Sequence, residues 1–161
     1  MKFWWVNHNQ TYAQESSGGY IWSPTADMNG SRNQTYINLT LAEPGDIIFS
    51  YASAQIQAVG IIKSKFVEMA RPPEFGSVGD AWSKVGWMVA VEWQKLTVPV
   101  SPMKFLERIM PLLPEKYSPL TKKGKGSQKC YLAALSPSLG RLVLGILRQF
   151  NSLPSKFLID T

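Results

Sequence analysis

The chain has 161 residues, 45% of them hydrophobic and 12% aromatic, which fits one folded domain and excludes global disorder. A single cysteine, Cys130, excludes an internal disulfide and fits a cytoplasmic setting, and with only one histidine, His8, the usual Cys/His zinc sites are excluded too. The net charge of +6 is uneven: residues 1–60 carry two basic and four acidic side chains and residues 61–161 fifteen and seven, a bias that suits a polyanion partner.

Phe3 to Val6 is a short aromatic and apolar run that reads as a first strand, with no signal-peptide core. Gly18-Gly19 marks a turn before a short strand at Tyr20-Ile21-Trp22, ended by Ser23-Pro24. Asn33 to Leu41 gives weak support for a short helix. After the Pro44-Gly45-Asp46 turn, Ile47 to Tyr51 reads as a strand, and Ser53-Ala54 as a hairpin or short link. A second apolar run, Ile56 to Val67, is broken mainly at Lys63-Ser64-Lys65. Residues 70–84 read as a long polar loop. Met88 to Trp93 is the clearest strand and can extend to Val100. Ser101-Pro102 and Ser136-Pro137 carry helix-start chemistry. The first precedes Phe105, Ile109 and Leu112 on one face; the second precedes a stripe of Leu139, Leu142, Val143, Ile146 and Leu147. Between them, residues 121–129 form a basic, flexible loop. No apolar run reaches the ~18 residues of a membrane helix. The count is about five strands and two or three short helices, an α+β pattern around a small curved sheet or barrel.

Catalytic chemistry is hard to assemble from these residues. The only histidine sits between Asn7 and Asn9, with no Gly-x-Ser-x-Gly elbow elsewhere and no phosphate-binding glycine loop. The acidic residues form no ligand-like cluster. No catalytic residue, metal ligand or cofactor is therefore expected. What remains is aromatic residues beside small polar ones. Trp22 is followed by Ser23 and then by Asn29, Arg32 and Asn33. Trp stacks on a base face, Asn and Ser bond a base edge, and Arg pairs phosphate. Trp82 lies in the polar loop 70–84, whereas Trp5, Trp87 and Trp93 occupy strand positions expected in the core.

Several segments in order resemble the EVE domain: Met1-Lys-Phe-Trp-Trp-Val6, Gly30-Ser-Arg-Asn33, Pro44-Gly-Asp-Ile-Ile-Phe-Ser-Tyr51 and Ala58-Val-Gly-Ile-Ile62. Strand 88–93 followed by Val98-Pro-Val-Ser-Pro102 resembles that family's late strand and helix start. Tyr20-Ile-Trp-Ser23 is similar to the Trp-Cys-Ser-Thr segment of YTH domains, and Asp80-Ala-Trp82 falls where YTH proteins place a second cage Trp. The resemblance is closest to the leading domain of bacterial HNH nucleases that cut modified DNA.

The resemblance implies a PUA-like curved β-sheet or barrel flanked by short helices, spanning residues 1–150, with 151–161 a tail or linker. It implies a modified-base pocket at Asn7, Tyr20, Trp22, Ser23, Asn33 and Trp82. Contacts to the nucleic-acid backbone would come from Arg32, Arg71, Lys122, Lys123, Lys125 and Lys129. The implied role is a non-enzymatic reader that flips a modified cytosine, 5-methyl or 5-hydroxymethyl, out of DNA, with a nuclease domain or subunit of a restriction system as partner. Two alternatives remain open: an RNA-binding module for N6-methyladenine in single strands, and a small-ligand-binding regulator.

Overall fold

A computed structural model describes residues 1–27, 29–79 and 85–158. The strands are β1 (Phe3–Asn7), β2 (Tyr20–Pro24), β3 (Ile47–Ala52), β4 (Gln55–Ile62), β5 (Val67–Ala70), β6 (Val85–Val100) and β7 (Leu132–Leu135). They form one mixed sheet in the order β2-β6-β4-β3-β1-β7, with β5 also paired to β6. β1 runs parallel to β3 and antiparallel to β7. The α-helices are α1 (Tyr12–Gly18), α2 (Gln34–Ile37), α3 (Leu106–Ile109) and α4 (Pro137–Phe150). This is the expected α+β class: a curled, half-barrel mixed sheet flanked by short helices.

The first apolar run is continuous because both faces of β1 are covered. Phe3 and Trp5 point into a core with Phe49, Leu139, Val143 and Leu147, so α4 covers that face. Trp4 and Val6 point into a second core with Ile21, Ile48, Val89 and Val91. Each such side chain removed from water is worth about 1.5–3 kcal/mol before entropy is subtracted. Asp46 fixes the β1–β3 edge: its carboxylate accepts from the Trp4 indole at 2.9 Å and from the Lys2 backbone at 2.9 Å. α4 starts as the sequence suggests, with Ser136 accepting from the Leu139 N–H at 3.1 Å and Pro137 in the first turn.

β6 makes the sheet curl. Its second half pairs with β4, while its first half pairs with β2 on one edge and β5 on the other. Register shifts lie between Ile56 and Ala58 and between Ser50 and Tyr51; such bulges bend a strand and re-aim its side chains. The β3–β4 turn is built from Ser53 and Ala54, both at positive φ as a two-residue hairpin turn demands.

Two elements and two expectations differ from the sequence reading. Two elements had no sequence signal, α1 and β7. Residues 151–158 are not a loose tail: Phe157 is buried in the α4 core, and Asn151 bonds both the N–H and the carbonyl of Val98. The basic loop is folded rather than flexible, because Thr121 N–H donates to Lys125 O at 2.7 Å, Ser127 N–H donates to Pro119 O at 2.9 Å, and Leu120 bridges Gly126. No helix among the described residues is long and apolar enough to cross a membrane.

Candidate functional site

The C-terminal end of β1 opens onto a cavity of about 610 Å³. Its walls come from residues 7–11, the Trp22–Pro24 end of β2, Tyr36, Tyr51 and residues 126–131. Asn7 brings these pieces together. Its Oδ1 accepts from the Trp5 indole at 2.8 Å, and its Nδ2 donates to Pro119 O at 2.9 Å and to Ser127 O at 3.4 Å. One side chain thus ties the end of β1 to the basic loop. Gly126 packs against Tyr51 so closely that an added Cβ would meet the ring at 2.9 Å.

A buried polar cluster adjoins the cavity. The Tyr131 hydroxyl donates to Glu15 at 2.5 Å and accepts from the Trp22 N–H at 3.1 Å. The Thr11 hydroxyl donates to Glu15 at 2.5 Å. His8 Nε2 lies 2.6 Å from Ser50 Oγ, and His8 Nδ1 lies 3.6 Å from Glu15 Oε2. Burial, then the Glu15 charge, pushes the Tyr131 hydroxyl well above its ordinary pKa, so it stays protonated as a donor. Burial pushes the Cys130 thiol up to about 12, so this cavity-lining residue is a neutral thiol near pH 7.

Sequence reasoning missed this cluster because a serine, a histidine and a carboxylate from β3, the end of β1 and α1 meet only in space. Their order resembles a hydrolytic triad. Ser50 is fully enclosed and does not line the cavity, so as arranged the cluster braces three elements and presents no nucleophile. Among the described residues no three His, Cys, Asp or Glu side chains gather as a metal-holding group.

Two polar atoms on the cavity residues lack hydrogen-bond partners among the described residues. Ser23 is 1% exposed and its Oγ is unpartnered; His8 is 2% exposed and its Nδ1 is unpartnered. His8 Nδ1 faces the Glu15 carboxylate at 3.6 Å, which leaves Ser23 Oγ as the buried polar atom beside the cavity with no facing group; such an atom costs about 1–3 kcal/mol.

Of the expected pocket residues, Asn7, Trp22 and Ser23 line this cavity. Trp22 does so without offering a free ring, which corrects its assignment as an open stacking wall. It is 1% exposed, its indole donates to Met69 O at 3.0 Å, and its ring meets the Phe75 ring edge-on at a centroid distance of 5.7 Å. Tyr20 belongs to the same buried group, donates to Glu74 at 2.8 Å and stays outside the lining. Asn33 is also outside; it caps α2 by accepting from Thr35 N–H at 2.9 Å. Trp82 lies outside the described residues. Besides the enclosed Trp22, the aromatic residues lining the cavity are Tyr36, Tyr51 and Tyr131, with Tyr36 and Tyr131 edge to face at 6.4 Å.

The expected backbone contacts divide. Lys129 lines the cavity, and Lys125 lines an adjoining groove. Lys122, Lys123 and Arg32 are exposed without lining either, and Arg71 is half-buried away from both.

A curled mixed sheet with a polar cavity at the end of its first strand makes this an α+β domain, and its likeness to solved structures gives it a YTH/PUA-like fold. No protein-family profile matches the chain, and no curated protein matches it in sequence. Solved structures do. The Pho92 YTH domain, solved in complex with m6A, aligns over 94% of this chain and 87% of its own, with a TM-score of 0.59 and 13% identity. The Toxoplasma CPSF4 YTH domain, solved with a 7-mer m6A-modified RNA, aligns over 99% and 97% at a TM-score of 0.56 and 14% identity. An ASCH protein from Zymomonas mobilis aligns over 91% and 99% at 0.56 and 8% identity. At these identities the likeness is one of fold.

Proposed function

We propose that this domain is a nucleic-acid reader that takes one unstacked, modified base into the cavity at the end of β1, with modified cytosine in DNA as its preferred target. The observation that carries this reading is a cavity of about 610 Å³ lined by Tyr36, Tyr51 and Tyr131 and by Ser23, whose buried Oγ has no hydrogen-bond partner among the described residues. That volume lies within the range of small-molecule sites, and its walls supply tyrosine rings for a base face. Extruding a base costs a few kcal/mol, stacking returns about 1–3 kcal/mol for each base, and hydrogen bonds to the base edge decide which base stays. Lys129 at the cavity and the other lysines of the 121–129 loop supply phosphate affinity.

The domain binds and does not cut, so a nuclease domain or subunit of a restriction system is the partner that this role calls for. The test is binding of the purified chain to duplexes carrying one 5-methylcytosine, 5-hydroxymethylcytosine or N6-methyladenine, against the unmodified duplex. A preference for a modified duplex is expected. Equal affinity throughout removes the reading. Divalent-metal-dependent cleavage that a point mutation abolishes would overturn the binding-only role.

A second reading is favoured by the m6A ligands of the Pho92 and Toxoplasma structures: N6-methyladenine in single-stranded RNA. Tighter binding of a methylated RNA strand than of every DNA duplex selects it.

A further inference from the structure

Beside the cavity lies a second recess of about 520 Å³, and the two share Asn9, Tyr51 and Gly126 as a common wall. The far side of the recess is formed by the β3–β4 turn, by Ser101 and Met103, and by Lys125. These pieces are fixed in place. The Ser53 N–H at the turn donates to Asn9 Oδ1 at 2.9 Å, and Lys125 sits in the bonded loop between Thr121 and Ser127. Met103 is 50% exposed, an uncovered apolar side chain at the rim of a recess that Lys125 also lines. The combination matches a nucleotide: an anionic phosphate for the lysine and a flat apolar ring for the thioether and the Tyr51 ring.

We propose that this recess is a second subsite, holding the nucleotide next to the base in the cavity, with its phosphate on Lys125 and its base against Met103. The inference rests on the base-cavity reading given above. It assigns Lys125 a role distinct from Lys122 and Lys123, which line neither recess. A base held on one side of the target only gives the reader a flanking-nucleotide preference that backbone contacts do not supply.

The test uses pentanucleotides, in deoxy and ribo forms, with a central N6-methyladenine or 5-hydroxymethylcytosine and an abasic spacer placed on one side or the other. Binding is measured for the parent, Met103→Ala and Lys125→Gln; both positions are exposed enough to leave the fold intact, which thermal unfolding checks. In the parent, a spacer on one side weakens binding about 5- to 150-fold, the loss of one stacked base, and a spacer on the other side does so far less. In Met103→Ala most of that one-sided penalty disappears, because the contact it reports is already gone. Lys125→Gln weakens the strand with both flanks intact. No one-sided penalty in the parent, or the same penalty in parent and Met103→Ala, overturns the subsite while leaving the cavity reading in place. A parent that binds none of the strands overturns the subsite, and its affinity for the modified duplexes then decides the cavity reading separately.

Discussion

The Trp22 indole lies across Gly86 on the neighbouring strand: a Cβ at Gly86 would sit 2.3 Å from the Trp22 ring. Only glycine leaves room for the ring to cross β6 and donate to Met69 O on β5. Trp22→Ala therefore removes a packed core ring and a buried hydrogen bond. The expected loss is about 3–5 kcal/mol of stability, read as a lower denaturation midpoint at unchanged slope. A variant that melts with the parent would show that the ring contributes nothing to the core.

Ser23→Ala has the opposite signature. The hydroxyl has no partner among the described residues, so its removal should leave stability within about 0.5 kcal/mol of the parent, or raise it. Preference for the modified base should fall, because an edge contact is gone. Thermal unfolding and binding on the same preparation separate the two effects. A clear drop in melting temperature would mean that Ser23 serves the fold.

Replacing Lys122, Lys123 and Lys125 together by Ala should weaken binding to every strand, and the slope of log affinity against log salt should become shallower. Titrations at several salt concentrations check this. An unchanged slope would place the loop away from the ligand.

Cys130 provides a pH signature. Its thiol titrates at about 12 when folded, against an ordinary value of 9.0. The folded state thus holds the proton more tightly, and the stability gained is complete below the unfolded pKa. It is lost as pH rises from about 9 to about 12, by up to about 1.4 kcal/mol per pH unit. Cys130→Ala should lose stability less steeply across that window in urea titrations, since the tyrosines titrate in both proteins. Parallel pH profiles would show that burial does not hold the thiol neutral.

Much of the fold was legible because its signals are local. The runs at Phe3, Ile47 and Met88 are apolar and short, the Ser136-Pro137 start precedes a helical stripe, and Ser53-Ala54 sits where a hairpin must turn. α1 was silent because the side chains it buries are Glu15 and Ser16, so no apolar period marks it. β7 was silent because four residues, Leu132–Leu135, carry too little pattern of their own.

The sequence by itself determined an α+β domain with a basic C-terminal half and an apolar first strand, since composition, turn chemistry and periodicity act over a few residues. The tertiary structure alone decided which side chains meet. Trp22 is enclosed because Gly86 gives it space, Tyr36, Tyr51 and Tyr131 reach the cavity beside it, and His8 finds Ser50 and Glu15 across three elements. Those outcomes depend on volume left by distant residues and on chain crossings, which no local pattern encodes.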